Sequence, residues 1–584
     1  GIRAFRARLH PTSLAALVAL DFVQFVEFDG PVAPLSAAPA PHEESMPLIG
    51  ADVTRAQFDG AATYTVVAGL IDSGLDTAHN DLNPTVVGWD LTGANAPFND
   101  PCEHGSHVAG TILGDGTTRA SLRGVAPGLG WGTAGRFYSV KIFGGTCSSS
   151  ISLATMMNLM HTPYFDGTTT SGIPQVINNS WGYQPAALTS FYGTEYNARL
   201  IDDESYNYAQ LYVFAMGNGG PTVRRMSLEA ASKNAFSVGS VVDHPTVAYG
   251  DPSDVYDDIN NGSSIGPTGD GRWKPNVCAP GYKITSVDAN STNGYKTIFG
   301  TSMATPHVTG LAAQLLDHTN WIQGWPEVTK ALLMATATTK DDVLLATAAD
   351  THLNQFGTGR VEAYRAHWTS AQIATYVWAY SLGNSSTYVE FPISAGATRI
   401  VACMHYSEPA ASAGGTQALV NNFDMYIDRP PVDTVNNNTG EYTAQQSLKD
   451  NTEIRMIDAS LYGAGTWRLK LYPTSVTGNV YIGVVVQIIY GDTTPDGTLN
   501  VTASDTFVQP NQDVTISATV TNPSFVASAV VLDSTSTGDT LQSASTTLDD
   551  GPLTTLTGNE SAGRDITLGD IRHGTQRSAT WVTR

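Results

Sequence analysis

The run Tyr64-Thr-Val-Val-Ala-Gly-Leu-Ile-Asp72 constrains the fold most. A strand with one wet face alternates apolar and polar residues. This run hardly alternates, so both its faces must be covered, as in a parallel sheet lined by helices. Strand and helix signals alternate from Pro47 to about Ser370. That order predicts an α/β region, a parallel sheet with helices on both faces. Asp72 falls at the carboxyl end of its strand, where open α/β sheets build their sites.

A second stretch, Phe299-Gly-Thr-Ser-Met-Ala-Thr-Pro-His-Val-Thr-Gly310, places Ser302 at the mouth of a helical run from Met303 to about Asp317. Free backbone N–H groups at such a terminus favour a nearby oxyanion. Pro306 is expected in the first turn, where its missing N–H breaks no helical bond. A serine is a poor nucleophile unless a base takes its proton and a third group orients that base. Asp72 and the stretch Glu103-His-Gly-Ser-His-Val-Ala-Gly-Thr111, with His104 ahead of an apolar helical run, offer these parts. Taken singly, Ser302 reads equally as a helix cap and His104 as an ordinary surface or core histidine.

Together, Asp-Ser-Gly-Leu-Asp76, His104-Gly-Ser-His-Val-Ala-Gly110 and Gly300-Thr-Ser-Met-Ala-Thr-Pro-His307 resemble the subtilisin-like serine proteases, in the order Asp, His, Ser used by that family. The resemblance implies that Asp72 holds the imidazole, His104 is base and then acid, and Ser302 attacks a peptide carbonyl. Asn218, in Leu211-Tyr-Val-Phe-Ala-Met-Gly-Asn-Gly-Gly220, stands where the family keeps its oxyanion asparagine. Ser180, Trp181 and Gly182, in Val176-Ile-Asn-Asn-Ser-Trp-Gly182, match the strand bordering the primary specificity pocket, and Met216 is expected to help shape the cleft. Core packing is the alternative for Trp181 and Met216. Ser106 stands where the family usually has Thr. The wording is closest to alkaline subtilases that carry a C-terminal β-sandwich. What the resemblance implies is a secreted, extracellular endopeptidase acting through an acyl-enzyme on protein and peptide substrates, as a monomer, without an organic cofactor.

The chain has 584 residues, a net charge of -23 and only 14% charged residues. Its length suggests about two to four domains. Its acidity disfavours nucleic acid and anionic membrane surfaces as partners. It has no transmembrane-length apolar run and no basic segment leading into an apolar signal stretch, so the start is expected to be missing. Its four cysteines, Cys102, Cys147, Cys278 and Cys403, allow three full pairings or none. By the resemblance, Cys102 and Cys147 lie on the cleft rim and would form a disulfide, leaving Cys278 and Cys403 as buried thiols.

Residues 1–30 resemble the last helix and strand of the family's inhibitory propeptide, or else form a helix and strand of the enzyme itself. An Ala/Pro-rich linker at 31–42 would hold the maturation site. The catalytic region is expected over 43–370. Short alternating runs over 371–490 predict a β-sandwich resembling a jelly-roll module. Asp424 and Glu453 stand where that module often holds calcium, although they read equally as loop acids. Asp81 matches a calcium position of many subtilisins and is expected to be structural. Residues 491–584 look like an immunoglobulin-like module, expected to be incomplete at Arg584. Two rival readings are a narrow-specificity processing protease and a catalytically silent scaffold used for binding or adhesion.

Overall fold

A computed structural model describes residues 45–490, apart from 59–63, 83–85, 128, 131–136, 165–171, 185–189, 222–224, 243–257, 340–349, 368–372, 433–441 and 444–448, together with strands between 498 and 583. The expected propeptide end and linker fall outside the described residues.

After a helical turn at Ser45–Leu48, strands and helices alternate as expected. They run α1 (Ala51–Phe58), β1 (Ala68–Asp72), β2 (Val86–Asp90), α2 (Gly105–Leu113), β3 (Phe137–Lys141), α3 (Leu153–Met160), β4 (Val176–Asn179) and α4 (Tyr196–Tyr208). Then come β5 (Leu211–Ala215), β6 (Phe236–Val241), β7 (Val277–Pro280), the hairpin β8 (Ile284–Val287) and β9 (Tyr295–Ile298), α5 (Thr301–His318) and α6 (Pro326–Ala335). Seven strands form one sheet in the order β2-β3-β1-β4-β5-β6-β7, every neighbouring pair parallel. The order reverses at β1, so Asp72 ends the strand at the switch point.

The missing alternation in β1 has its cause in two cores. Ala68 and Leu70 face a cluster with Val108 and Ile112 of α2 and Val308 and Leu311 of α5. Val67 and Ile71 face the other side, with Met156 and Met157 of α3 and Ile201 of α4. Helices therefore cover both faces of the sheet.

The next strands are β10 (Ile373–Leu382), β11 (Thr387–Ile393), β12 (Ala397–Ser407), β13 (Asn422–Asp428), β14 (Tyr442–Thr443), β15 (Thr452–Asp458), β16 (Gly465–Ser475) and β17 (Val480–Tyr490). They form two antiparallel four-stranded sheets, β10-β17-β12-β15 and β11-β16-β13-β14. Ile400, Ala402, Met404 and Tyr406 of β12 point into the sandwich, against Trp467 and Phe423. Val401 and Cys403, the alternate residues, belong to the cluster that contains α6. The sandwich thus has one wet side fewer than its sequence pattern suggests.

Helix α6 is the shared element. All its residues are buried, and it packs on β12 and β17. Burial pushes Glu327 up to about 7 and Lys330 down to about 7. Close approach requires Gly483, since a Cβ there would lie 2.5 Å from the Glu327 carbonyl carbon and the Val328 nitrogen. Beside it, the fully buried Lys233 donates to Asp202 at 2.9 Å and to the Pro409 carbonyl at 2.9 Å, with Glu408 at 3.8 Å.

The last unit, taken by itself, has strands β18 (Thr498–Ala503), β19 (Val514–Asn522), β20 (Ala527–Asp533), β21 (Leu541–Leu548), β22 (Asp565–Ile571) and β23 (Thr575–Thr583). They pair antiparallel as β18-β19-β23-β21 and β20-β22.

Substituting Gly483→Val forces β17 away from α6. The expected loss is about 1–3 kcal/mol of stability, read by thermal or denaturant unfolding, with the fluorescence of the parallel-sheet region and of the sandwich changing in one transition.

Candidate active site

Asp72 has no exposed surface. Its Oδ1 accepts the Ser73 N–H at 2.7 Å and lies 2.8 Å from His104 Nδ1. A carboxylate oxygen only accepts, so Nδ1 carries the proton and Nε2 of the neutral ring is left as a base. His104 is the N-cap of α2, its carbonyl accepting the Val108 N–H at 3.0 Å, and its side chain keeps 30% of its surface exposed. Burial lowers its pKa, but the Asp72 charge and hydrogen bond, helped by Asp100, outweigh burial and hold the imidazole above its ordinary 6.5.

Asp100 organises the approach to that histidine. Its Oδ1 accepts from the Ser73 hydroxyl at 2.7 Å and the Cys102 N–H at 3.2 Å, and its Oδ2 from the Ser106 N–H at 2.8 Å. The Gly105 N–H donates to Ser73 Oγ at 2.8 Å, and the Asp76 N–H to Ser106 Oγ at 2.9 Å. The hydroxyl of Ser106 is thus in use, and the family's extra methyl is not needed for it. His107 is a strut whose Nε2 reaches the carbonyls of Ile284 and Lys296, and burial drives its pKa down to about 3. A disulfide joins Cys102 to Cys147, Cα to Cα 5.6 Å, and Cys278 and Cys403 are buried free thiols.

Ser302 sits in the first turn of α5 and is 9% exposed. Pro306 lies not in that turn but one turn on, inside the helix. Its absent N–H would have bonded the Ser302 carbonyl. Ser180 Oγ supplies the missing donor at 2.8 Å, and Ser302 Oγ in turn donates to the Ser180 carbonyl at 2.8 Å. The exception to first-turn proline is therefore the tie between the helix and the chain after β4.

Asn218 follows β5. Its Oδ1 accepts both the N–H and the hydroxyl of Thr301, each at 2.9 Å, which fixes the amide with Nδ2 as its donor end. Gly300 has φ of 145°, and a Cβ there would lie 3.1 Å from that Nδ2. Only glycine combines this backbone with so near an amide.

Trp181 donates from Nε1 to the Ile71 carbonyl at 2.8 Å and packs edge-on against Phe214, so its ring braces the end of β1. Gly182 lies against Ser227, whose Cβ would be 2.6 Å from an added Gly182 Cβ. The Met216 side chain has no exposed surface and packs with Phe191, Met226, Ala230 and Ala231. It lies beneath the cleft instead of lining it.

Among the described residues no three His, Cys, Asp or Glu side chains gather as metal ligands. Asp424 accepts from Thr474 Oγ1 at 2.7 Å, the Tyr426 hydroxyl at 3.2 Å and Asn422 Nδ2 at 3.3 Å. Glu453 accepts the Met425 N–H at 2.8 Å, and burial, with the Asp424 charge, raises its pKa well above the carboxylate range. Glu453 Oε1 and the neighbouring Asn422 Oδ1 accept no hydrogen bond from the described residues, whereas Asp424 is held by protein donors. Asp81 is likewise held, by the Thr118 N–H at 2.7 Å and the Tyr295 hydroxyl at 2.6 Å.

Residues 64–359 match the profile of the subtilase family. Subtilisin DY of Bacillus licheniformis is 30% identical over 276 residues, which are 47% of this chain and 83% of that protein. Subtilisin of Bacillus pumilus is 29% identical over 264 residues, 45% of this chain and 81% of that protein. Alkaline serine exoprotease A of Vibrio alginolyticus is 29% identical over 286 residues, 49% of this chain and 43% of that protein. These matches place the chain, with its parallel α/β sheet and a serine at a helix mouth, in the serine-protease class of hydrolases. The chain belongs to the subtilase family and is a subtilisin-like serine endopeptidase.

Asp100, Ser73 and Thr301 hold the site without a motif that marks them in the sequence. Asp100, four residues before His104, was the most accessible of these, since an acid just ahead of a helix is a common cap.

Opening the disulfide with the pair Cys102→Ser and Cys147→Ser frees a loop of 45 residues. Chain entropy puts the expected loss at about 4 kcal/mol, measured as a lower unfolding midpoint, with the same midpoint in wild-type protein after full reduction.

Proposed function

We propose that this chain hydrolyses peptide bonds of extended protein segments through an acyl-enzyme on Ser302, with Asp72, His104 and Asn218 as its partners. The observation that carries the reading is the 2.8 Å bond between Asp72 and His104 Nδ1, which leaves Nε2 as a base. The Ser302 hydroxyl turns from the Ser180 carbonyl to that Nε2, gives up its proton and attacks the substrate carbonyl. The new oxyanion meets Asn218 Nδ2 and the N–H of Ser302 at the mouth of α5, where the helix dipole also favours it. His104 then protonates the leaving amine. Water repeats the sequence to release the acyl group.

Substrate backbone lies beside Ser180, Trp181 and Gly182, as a strand added to an open edge. Secretion suits the disulfide, which persists in oxidising surroundings. No helix among the described residues is long and apolar enough to cross a membrane. Residues 1–30 serve, in this reading, as the end of the enzyme's own inhibitor, and the linker at 31–42 is cut at maturation.

Ser302→Ala is expected to lower kcat by about 10⁶, the loss found for the subtilisin nucleophile, and Asn218→Ala by about 10²–10³. Both are measured on a peptide anilide. Because the base form of His104 is required and its pKa is raised, kcat/KM should fall on acidification with a midpoint above 6.5. Asp72→Asn removes the charge that raises it, so the midpoint moves down and kcat drops by about 10⁴. A pH–rate profile that stays flat down to about pH 4 contradicts the assignment of His104.

A further inference from the structure

The backbones on the two sides of the groove, 180–183 and 215–218, are joined by a third segment, Ser227-Leu-Glu229. The Ser227 N–H donates to the Met216 carbonyl at 2.9 Å, and its hydroxyl to the Ala215 carbonyl at 2.9 Å. On the other side the Leu228 N–H donates to the Tyr183 carbonyl at 3.0 Å. Glu229 Oε2 accepts the Tyr183 N–H at 2.7 Å, and its Oε1 accepts Asn197 Nδ2 at 2.9 Å. Gly182 lies in the angle so formed, where an added Cβ would be 3.1 Å from Glu229 Oε2. Gln184, the residue after Tyr183, accepts the Asn218 N–H on its Oε1 at 3.0 Å. Whatever fixes Tyr183 therefore fixes the pocket wall and, one residue on, the oxyanion asparagine.

Glu229 is a costly way to hold a backbone N–H. It is 1% exposed, and the groups facing its carboxylate are the Asn197 amide, the Tyr183 N–H and its own N–H, none of them a cation. Burial raises its pKa as a consequence. A neutral side chain would avoid that cost, but an apolar one would take away the acceptor of the part-buried Tyr183 N–H and leave the wall free to shift.

Asn197 extends the arrangement to the sandwich. It stands in the first turn of α4, and that helix is gripped by the loop after β12. The Thr194 hydroxyl donates to the Gly415 carbonyl at 2.7 Å and Arg199 Nε to the Ala411 carbonyl at 2.7 Å. The Ala410 N–H donates to Asp203 Oδ1 at 3.0 Å. Hydrogen bonds thus tie the sandwich loop to α4 and its start, and Asn197 of the same helix to Glu229, which holds Tyr183.

We propose that Glu229 is a positioning residue for the primary specificity pocket, and that through Asn197 the β-sandwich helps set how large a substrate side chain that pocket accepts. The proposal rests on the peptidase reading above. Its role is distinct from that of Asp100, which acts on the histidine side of the cleft.

The test compares wild type, Glu229→Ala, Glu229→Gln, Asn197→Ala and Arg199→Ala on anilides that differ only in having Ala or Phe before the scissile bond. Enzyme is counted by titrating reactive Ser302, so partial unfolding does not enter. The ratio of kcat/KM for Phe to that for Ala should change by about tenfold or more in Glu229→Ala, carried by KM and not kcat. Glu229→Gln should return it towards wild type, since its oxygen can accept from Tyr183 while its amide donates to a turned Asn197. Asn197→Ala and Arg199→Ala should move it the same way by less. They carry the test if Glu229→Ala fails to fold. An unchanged ratio in the folded variants, even with a lower Tm, overturns the proposal. Wild type that neither cleaves the anilides nor titrates at Ser302 overturns the peptidase reading instead.

Discussion

The buried carboxylate of Asp72 is the constraint on which the cleft depends. It sits at the end of β1 with no exposed surface, and its Oδ1 is met by one backbone N–H and one imidazole. Such a group is tolerable only where donors are fixed in advance. The parallel sheet fixes the strand, Asp100 fixes the loop, and α2 begins at His104 so that the ring is presented at a helix start. The raised pKa of His104 follows from the same bond. Structure and reactivity here share one cause.

The Ser302 side of the cleft is built by a different device. Pro306 removes a helical hydrogen bond and leaves the Ser302 carbonyl for Ser180 to fill. Thr301 locks the Asn218 amide through both its N–H and its hydroxyl. Helix α5, the chain after β4 and the Asn218 amide are therefore held to one another before any substrate arrives, which for the proposed mechanism is the condition for electrostatic stabilisation without reorganisation. The sandwich is part of this rigid body. It shares a core with α6, and its loop holds α4.

What could be read in the sequence was what local pattern encodes. The unalternating β1 gave the parallel sheet, and motif spacing placed Asp72, His104, Asn218 and Ser302 where elements end. Residues in long-range roles were not legible. Nothing around Glu229 signals that its partners are Tyr183 and Asn197. The apolar alternate residues of β12 look like an ordinary sandwich until α6 is seen against them. Pro306 was expected a turn too early, because the helix begins at Thr301 and Ser180 offsets the cost. Met216 has the residue type of a cleft wall but the burial of a core. At Asp81, a tyrosine hydroxyl from a distant hairpin takes up the charge, which no local spacing predicts.

The most direct test is labelling with a fluorophosphonate, followed by peptide mapping, on wild type, Ser302→Ala and His104→Ala. An activated nucleophile predicts a single adduct on Ser302, absent in Ser302→Ala and formed far more slowly in His104→Ala. An adduct elsewhere, none at all, or the same rate without the histidine contradicts the account.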